Sequence, residues 1–405
     1  MNISGKVISG ILESASFRRY SPFAEIIISA YKGNEPFHHY LRNYFSSHKK
    51  HGSKDRKQIA SLCYNYFRVG LGIISPVSLQ EKLLISTFLC ETETHFVLPQ
   101  FKAGEHPRIS LSIPDKLEIL QDFFDHHKIF HFNADLSEKI NAEKFSISFL
   151  QQPDFFLRIR PAQESIVIRK LYDAKISFGR MNERCLVFSA NEKVSDILKI
   201  DKEAVVQDYN SQRVGEFFLT TKFSNDISPV DVWDCCAGSG GKSILLVDTI
   251  QNVCLTATDK RPSIIKNLER RFSNAGVKNF KASVLNLSSP LVLPFEIPFR
   301  IIIADVPCSG SGTWSRTPEL LCFFKKSEIQ KYASLQKKII QNILPQLAPD
   351  GVLLYITCSV FKEENEENVN YILQNSELSM TQMAYLEGYE LRADTLFIAV
   401  FTKQL

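Results

Sequence analysis

The chain has 405 residues, 44% of them apolar and 23% charged, with a formal charge of +4. This is an ordinary soluble composition with room for two or three domains, and so small a charge excess leaves partners to be argued from local clusters. The nine cysteines are odd in number and hold no C-x-x-C pair, which excludes a zinc ribbon and a dithiol redox motif. No apolar run approaches the roughly 18 residues of a membrane span, and the start lacks a signal-peptide core. The expectation is a cytoplasmic protein with reduced thiols and no resident metal.

Residues 1–140 read as a helical domain. In "SKDRKQIASLCYNYFR", Ile59, Leu62, Cys63, Tyr66 and Phe67 recur at helical spacing and form one apolar stripe. Leu117, Leu120 and Phe124 repeat the pattern near Pro114. Between these lies a basic cluster, "HKKHGSKDRK", at His48–Lys57. Residues 141–220 read as a small α+β module: "DFFLRIRP" alternates as a half-buried strand does, placing Arg158 and Arg160 on one face.

Residues 221–405 alternate regularly. "VDVWDCC", "VCLTATD", "NFKASV", "RIIIAD" and "GVLLYIT" read as strands. The segments between them include the helix "PSIIKNLERRFSNAG", with Pro262 at its start and Gly276 just past its end. Strands alternating with helices predict a mainly parallel α/β sheet. The last two strand candidates, Tyr385–Leu391 and Leu396–Phe401, are separated by a short turn and are expected to run antiparallel.

The turn "DCCAGSGGK", Asp234–Lys242, follows the first strand of this region and opens its first helix. Glycines there let backbone approach a ligand, and the helix start presents free N–H groups. Asp259 ends the next strand, where an acid can hold a ribose. A nucleoside-bearing cofactor is expected, and on this evidence NAD and S-adenosylmethionine both qualify.

Cys308, in "IIIADVPCSGSGTW", and Cys358, in "LLYITCSVFKEENEENV", each sit just past an apolar strand. Ligands of open parallel sheets bind at such carboxyl ends. One crossover helix separates the two strands, so they are expected to be neighbours about 4.8 Å apart, with both thiols facing the cofactor cleft. A thiol at such a place points to covalent catalysis. The reaction that needs a methyl donor and a thiolate together is methylation of a pyrimidine at carbon 5. The thiolate adds to carbon 6, carbon 5 then attacks the methyl group, and a base removes the carbon-5 proton so that the cysteine departs. Asp305 is placed to hydrogen-bond the ring nitrogen of cytosine. Spacing does not order the two thiols.

At these residues the chain resembles the RNA cytosine-5 methyltransferases of the Sun/RsmB type. "DCCAGSGGKS", "ATDKRPSIIKNLERR", "ADVPCSGSGTWSRTPE" and "LYITCSVFKEENEENV" match in order. "VVQDYNSQ" and "QQPDFFLRIRP" resemble the segments that precede the catalytic domain, and "SKDRKQIASLCYNYFRVG" a helix of a NusB-like domain. The resemblance implies a Rossmann-like methyltransferase domain at 221–405, the small α+β module at 141–220, and a NusB-like RNA-binding domain at 1–140. It implies S-adenosyl-L-methionine as cofactor, held by Cys236, Ala237, Gly238, Ser239, Gly240, Gly241, Lys242, Asp259 and Asp305. It implies Cys358 as nucleophile and Cys308 as the residue that helps release product, with Asp305 between cofactor and base and Lys242 helping to place it. It implies RNA, small-subunit ribosomal RNA by analogy, as partner; a monomer is the default.

Two departures stand out. The usual alanine-proline of the cofactor turn is Gly238-Ser239, and the acid usual near the adenine is missing, with Ser283 at about that place. Basic segments at His48–Lys57, Arg158 with Arg160, and "KRPSIIKNLERR" are candidates for phosphate contact. A transfer-RNA enzyme, a non-catalytic ribosome-assembly factor and an NAD-dependent oxidoreductase are the rival readings. Paired thiols argue against the second, and the absence of a hydride-transfer constellation against the third.

Overall fold

The computed structural model describes residues 15–91, 111–190, 192–221, 223, 228–289 and 294–403. Residues 1–14, which bear on the signal-peptide reading, lie outside them. Among the described residues no helix is long and apolar enough to cross a membrane.

The contacts divide the chain into two units. The first holds residues up to 134, 141–152 and 314–325. It is helical, with Ala15–Ala30, Phe37–Ser47, Ser53–Arg68 and Leu79–Cys90 as its main helices. The expected stripe on Ser53–Arg68 is the buried one: Ile59, Leu62, Cys63 and Phe67 are inside, with Tyr66 half-buried. The helix at Pro114 is shorter than the periodicity suggests, Ile113–Ile119. Leu120 and Phe124 lie past its end and are buried from a turn, where Ile73 and Phe124 form a β-bridge. Residues 314–325 belong here by their packing. The Trp314 ring lies against Phe130, Phe132 and Phe324, and Arg68 Nη1 donates to the carbonyls of Phe149, Gln151 and Ser315.

The second unit holds residues 135–140, 153–313 and 326–405. Its small sheet has strands β1 (Phe155–Ile159), β2 (Gly179–Arg180), β3 (Cys185–Phe188) and β4 (Ala204–Val206) in the order β2-β3-β1-β4, all antiparallel. The helix Glu164–Asp173 buries Val167 and Leu171 against it.

The large sheet has seven strands: β5 (Val230–Asp234), β6 (Val253–Asp259), β7 (Phe280–Val284), β8 (Phe299–Asp305), β9 (Leu347–Thr357), β10 (Leu378–Leu386) and β11 (Leu396–Lys403). Their order is β10-β11-β9-β8-β5-β6-β7. β5 to β9 are mutually parallel. β11 runs antiparallel to both β9 and β10, as expected of the last pair, although β10 begins and ends earlier than the Tyr385–Leu391 the sequence suggests, and only Tyr385 and Leu386 of that stretch are strand. Successive residues alternate between two cores. Val232, Ile301, Ile303, Leu354 and Ile356 fill one face; Trp233, Ile302, Leu353 and Tyr355 fill the other. Near-continuous apolar strands are the mark of a sheet covered on both faces. The fold is the Rossmann-like α/β architecture. Chain order reverses between β5 and β8, which makes the carboxyl ends of those strands the natural binding crevice.

Candidate active site

The turn after β5 is built to be open. Gly240 caps the helix Gly241–Thr249 in the left-handed region, φ 82°. A Cβ there would lie 2.5 Å from the Phe272 ring, whereas one on Gly238 would meet nothing within 4 Å. The Gly238-Ser239 departure therefore leaves space where the turn faces outward. What steadies the turn without a proline is Arg271. Its Nη1 donates to Ser239 O and Oγ at 2.8 and 2.9 Å, and its other nitrogens hold the Asp201 carboxylate.

At the foot of the turn Asp234 is 1% exposed. Its Oδ2 accepts from Ser243 Oγ at 2.6 Å, while Oδ1 is buried without a partner. Burial raises the carboxyl pKa to about 7, against the Ser243 hydrogen bond that lowers it.

Asp259 ends β6 as expected. Gly238 N–H donates to its Oδ2 at 3.2 Å, and the backbone and side chain of Arg261 donate to both oxygens at 2.9 Å. Burial alone would raise its pKa; Arg261 reverses this and holds it below the ordinary value. All four lone-pair directions of this carboxylate are thus in use. Arg261, whose side chain is 56% exposed, was read from the sequence as a phosphate contact; here it closes on Asp259, the acid expected to hold a ribose. Ser283 lies inside β7, opposite Thr258. The residue two places beyond the strand end is Asn286, whose Oδ1 accepts from Ser288 N and Oγ.

Lys242, on the first turn of the helix, donates from Nζ to Asp305 Oδ2 at 2.6 Å. Burial disfavours its ammonium, but Asp305, then Cys358, outweigh this and raise its pKa. Asp305 closes β8 and pairs in register with Ile356 of β9. Three residues past Asp305 is Cys308; two past Ile356 is Cys358. Their sulfurs are 3.3 Å apart, so the loops bring the thiols closer than the strand spacing of about 4.8 Å. Gly312 N–H donates to Cys358 O at 2.8 Å and ties the loops together. The contact with Cys358, burial, and the charges of Cys358 and Glu364 push the Cys308 thiol well above its ordinary value.

The predicted site residues Cys236, Ala237, Gly238, Ser239, Gly240, Gly241, Lys242, Asp259, Asp305, Cys308 and Cys358 all fall on the carboxyl ends of β5, β6, β8 and β9, the loops that follow, or the first turn of the helix after β5. Arg158 and Arg160 do not serve as surface contacts. Both reach Asp248, at 2.5 and 2.6 Å, with side chains 4% and 12% exposed. Their shared face was legible, but their acceptor, on a helix some 90 residues on, was not. In the helical unit Lys49, Lys50 and Lys54 are exposed, while His51 is buried and its carbonyl accepts from Arg56.

The open glycine turn, with its helix-start N–H groups and the Asp259 carboxylate, suits a cofactor that carries a ribose. Residues 225–398 match the family described as 16S rRNA methyltransferase RsmB/F. Over 161 residues the chain is 34% identical to the ribosomal RNA small subunit methyltransferase B of Cronobacter sakazakii, a match covering 39% of this chain and 35% of that protein. The chain thus spans little over a third of the length of that relative. The crystal structure of PH0851 shares the fold with a TM-score of 0.66 at 18% identity, over 100% of each chain. That of NSun6 from Pyrococcus horikoshii, solved with SFG, gives 0.57 at 14% identity, over 68% of this chain and 97% of the other.

Proposed function

We propose, from the premise that residues 225–398 are a methyltransferase domain of the RsmB/F type, that this protein methylates carbon 5 of a cytosine in small-subunit ribosomal RNA, using S-adenosylmethionine and a covalent adduct on Cys358. The observation that carries the reading is the pair of sulfurs 3.3 Å apart beside the Lys242–Asp305 ion pair. A protein that only binds RNA has no use for two abutting thiols at the mouth of a cofactor turn. The cofactor, when bound, supplies an electrophilic methyl group.

The residues of the chain do the rest. With the Cys308 sulfur 3.3 Å away and the Lys242 ammonium turned toward it, Cys358 acts as the thiolate nucleophile. That sulfur adds to carbon 6 of the cytosine. Asp305, held by Lys242, takes up a hydrogen bond from the base on its nitrogen edge. Addition makes carbon 5 an enamine carbon that takes the methyl group. Loss of the carbon-5 proton to a base then re-forms the carbon 5–carbon 6 double bond and expels the Cys358 thiolate. Cys308 lies next to the departing sulfur and restores the hydrogen bond to it. The target base must leave its stack to reach this crevice. The exposed Lys49, Lys50 and Lys54 offer charge for phosphates. The reading is of a cytoplasmic, monomeric enzyme.

The test is incubation with labelled S-adenosylmethionine and unmodified small-subunit RNA, digestion to nucleosides, and parallel Cys308→Ala and Cys358→Ala variants. The expected result is label in 5-methylcytidine, abolished in Cys358→Ala, with a denaturation-resistant RNA adduct accumulating in Cys308→Ala. Label on transfer RNA alone would move the substrate and keep the chemistry. Tight RNA binding without label on either RNA would replace the reading by that of an assembly factor.

A further inference from the structure

Glu364 is one of the buried ionisable groups that the mechanism above does not use. Glu364 is 0% exposed and sits six residues past Cys358. Its Oε2 accepts from the backbone N–H of Ser309, the residue after Cys308, at 2.9 Å. Its Oε1 accepts from the hydroxyl of Ser359, the residue after Cys358, at 2.7 Å. Gln336 Nε2 completes the set: it donates to Glu364 Oε2 at 2.9 Å and to the carbonyl of Pro307, the residue before Cys308, at 3.0 Å. The hydroxyls of Ser309, Ser311 and Ser359 lie 3.2 Å from one another inside the same cluster. One carboxylate thus grips the chain on the far side of each reactive cysteine.

We infer that Glu364 is a positioning residue for the cysteine pair, which clamps the two thiol-bearing loops at reacting distance and sets its carboxylate beside Cys308. The inference rests on the cysteine chemistry proposed above and deepens it.

Chemistry favours a carboxylate over any neutral residue here. Every polar group facing Glu364 through these bonds is a donor: an amide N–H, a hydroxyl and a side-chain amide. A carboxylate accepts from all of them on two charged oxygens, whereas a glutamine keeps one acceptor oxygen and no charge. Burial opposes the charge and raises the Glu364 pKa, and the bonds from Ser309, Ser359 and Gln336 act the other way. A buried carboxylate kept for its bonds is costly, and its site is one where its charge is felt. Glu364 is among the groups that hold Cys308 in the thiol form. Cys308 as donor and Cys358 as acceptor is the division of labour that the addition step needs. The neighbouring Asn365 secures the other side of Cys358. Its Oδ1 accepts from Thr357 Oγ1 at 2.6 Å and its Nδ2 donates to Ser359 O at 2.8 Å.

The experiment uses the full chain with Glu364→Gln and, as a milder lesion, Ser359→Ala. Three quantities are read: S-adenosylhomocysteine affinity as a check of fold, the pH midpoint of iodoacetamide alkylation at Cys308 resolved by mass spectrometry, and kcat on RNA. In Glu364→Gln the Cys308 midpoint is expected to fall by about one pH unit, since a neighbouring negative charge is gone. The value of kcat is expected to fall about a hundredfold through misplacement of the thiols, with S-adenosylhomocysteine affinity unchanged. Ser359→Ala, which keeps the charge, is expected to lower kcat about tenfold and leave the midpoint in place. An unshifted midpoint in a Glu364→Gln protein that still binds S-adenosylhomocysteine overturns the inference. If Glu364→Gln does not fold, an unchanged kcat in Ser359→Ala overturns it instead. Failure of the underlying reading looks different: the unsubstituted protein then makes no 5-methylcytidine, and the alkylation midpoints, measured without RNA, decide the role of Glu364 alone.

Discussion

Removing Asp248 tests whether Arg158 and Arg160 serve the fold or the RNA. The Asp248 carboxylate is 4% exposed and faces both guanidiniums, with Arg158 Nη1 at 2.5 Å and Arg160 Nη2 at 2.6 Å. Arg158 Nε also donates to Gln207 at 2.8 Å, and Arg160 Nη1 reaches the carbonyls of Asp201 and Ala275. Asp248→Ala leaves two buried cations facing each other without an anion. Breaking a buried pair by removing one partner costs about 3–5 kcal/mol. At about 2–4 °C per kcal/mol for a domain of this size, the melting temperature should fall by roughly 6–20 °C. Replacing the whole cluster, with Arg158→Met, Arg160→Met and Asp248→Leu together, should recover most of that loss, because no charge is then left stranded. RNA affinity is measured in parallel against salt, below the melting transition. An arginine on a phosphate contributes about one unit to the slope of log affinity against log salt, so Arg160→Met should leave the slope unchanged. Destabilisation by Asp248→Ala under about 1 kcal/mol, the value for a solvated pair, together with a shallower slope in Arg160→Met, would refute the reasoning and return both arginines to the RNA.

Two further outcomes follow from the cofactor turn. Burial raises Asp234 from 3.8 to about 7, so between those values the folded protein holds a proton that the unfolded chain has released. Stability from this group is therefore full below about pH 4 and lost as pH rises toward 7, by about 4 kcal/mol at most. Urea denaturation of Asp234→Asn should lack that decline, and parallel pH curves for the two proteins would count against it. At Asp259, Arg261 occupies lone pairs that a ribose needs, yet its side chain is 56% exposed and the pair is worth at most about 1 kcal/mol. Arg261→Met should tighten S-adenosylhomocysteine binding by up to about fivefold by calorimetry; a loss of affinity would mean that Arg261 helps to hold the ligand.

What the sequence made legible is what lies at strand ends. Trp233–Asp234, Ala257–Asp259, Ile303–Asp305 and Ile356–Thr357 each end an apolar run, and the residues that follow, Gly238 to Lys242, Cys308 and Cys358, are forced to the same edge once the strands are parallel. The Lys242–Asp305 pair and the adjacency of the two thiols follow from that geometry. The partners that tune these groups were not legible, because they come from elsewhere in the chain. Arg271 and Asp201 meet 70 residues apart, and Arg160 and Asp248 meet 88 apart. Glu364 was visible only as one acid among several in "KEENEEN". Its neighbours Glu363 and Glu366 are both half-buried and Glu367 is exposed, and only packing singles out Glu364. Periodicity also misplaced Leu120 and Phe124, since apolar residues buried from a turn can mimic helical spacing.

The two cysteines answer to different forces. The sheet fixes Cys308 and Cys358 on adjacent strands, but a parallel ladder alone sets them about 4.8 Å apart and treats them alike. The loops after the strands make them unequal. Gln336 and Ser309 bind the Cys308 side to a buried acid, while Lys242 carries its positive charge toward Asp305 and Cys358. Glu364 is among the charges that disfavour a Cys308 thiolate, while Cys358 is among the groups that favour the Lys242 ammonium. In the proposed mechanism this unequal setting is what separates two chemically identical side chains into a donor and a nucleophile.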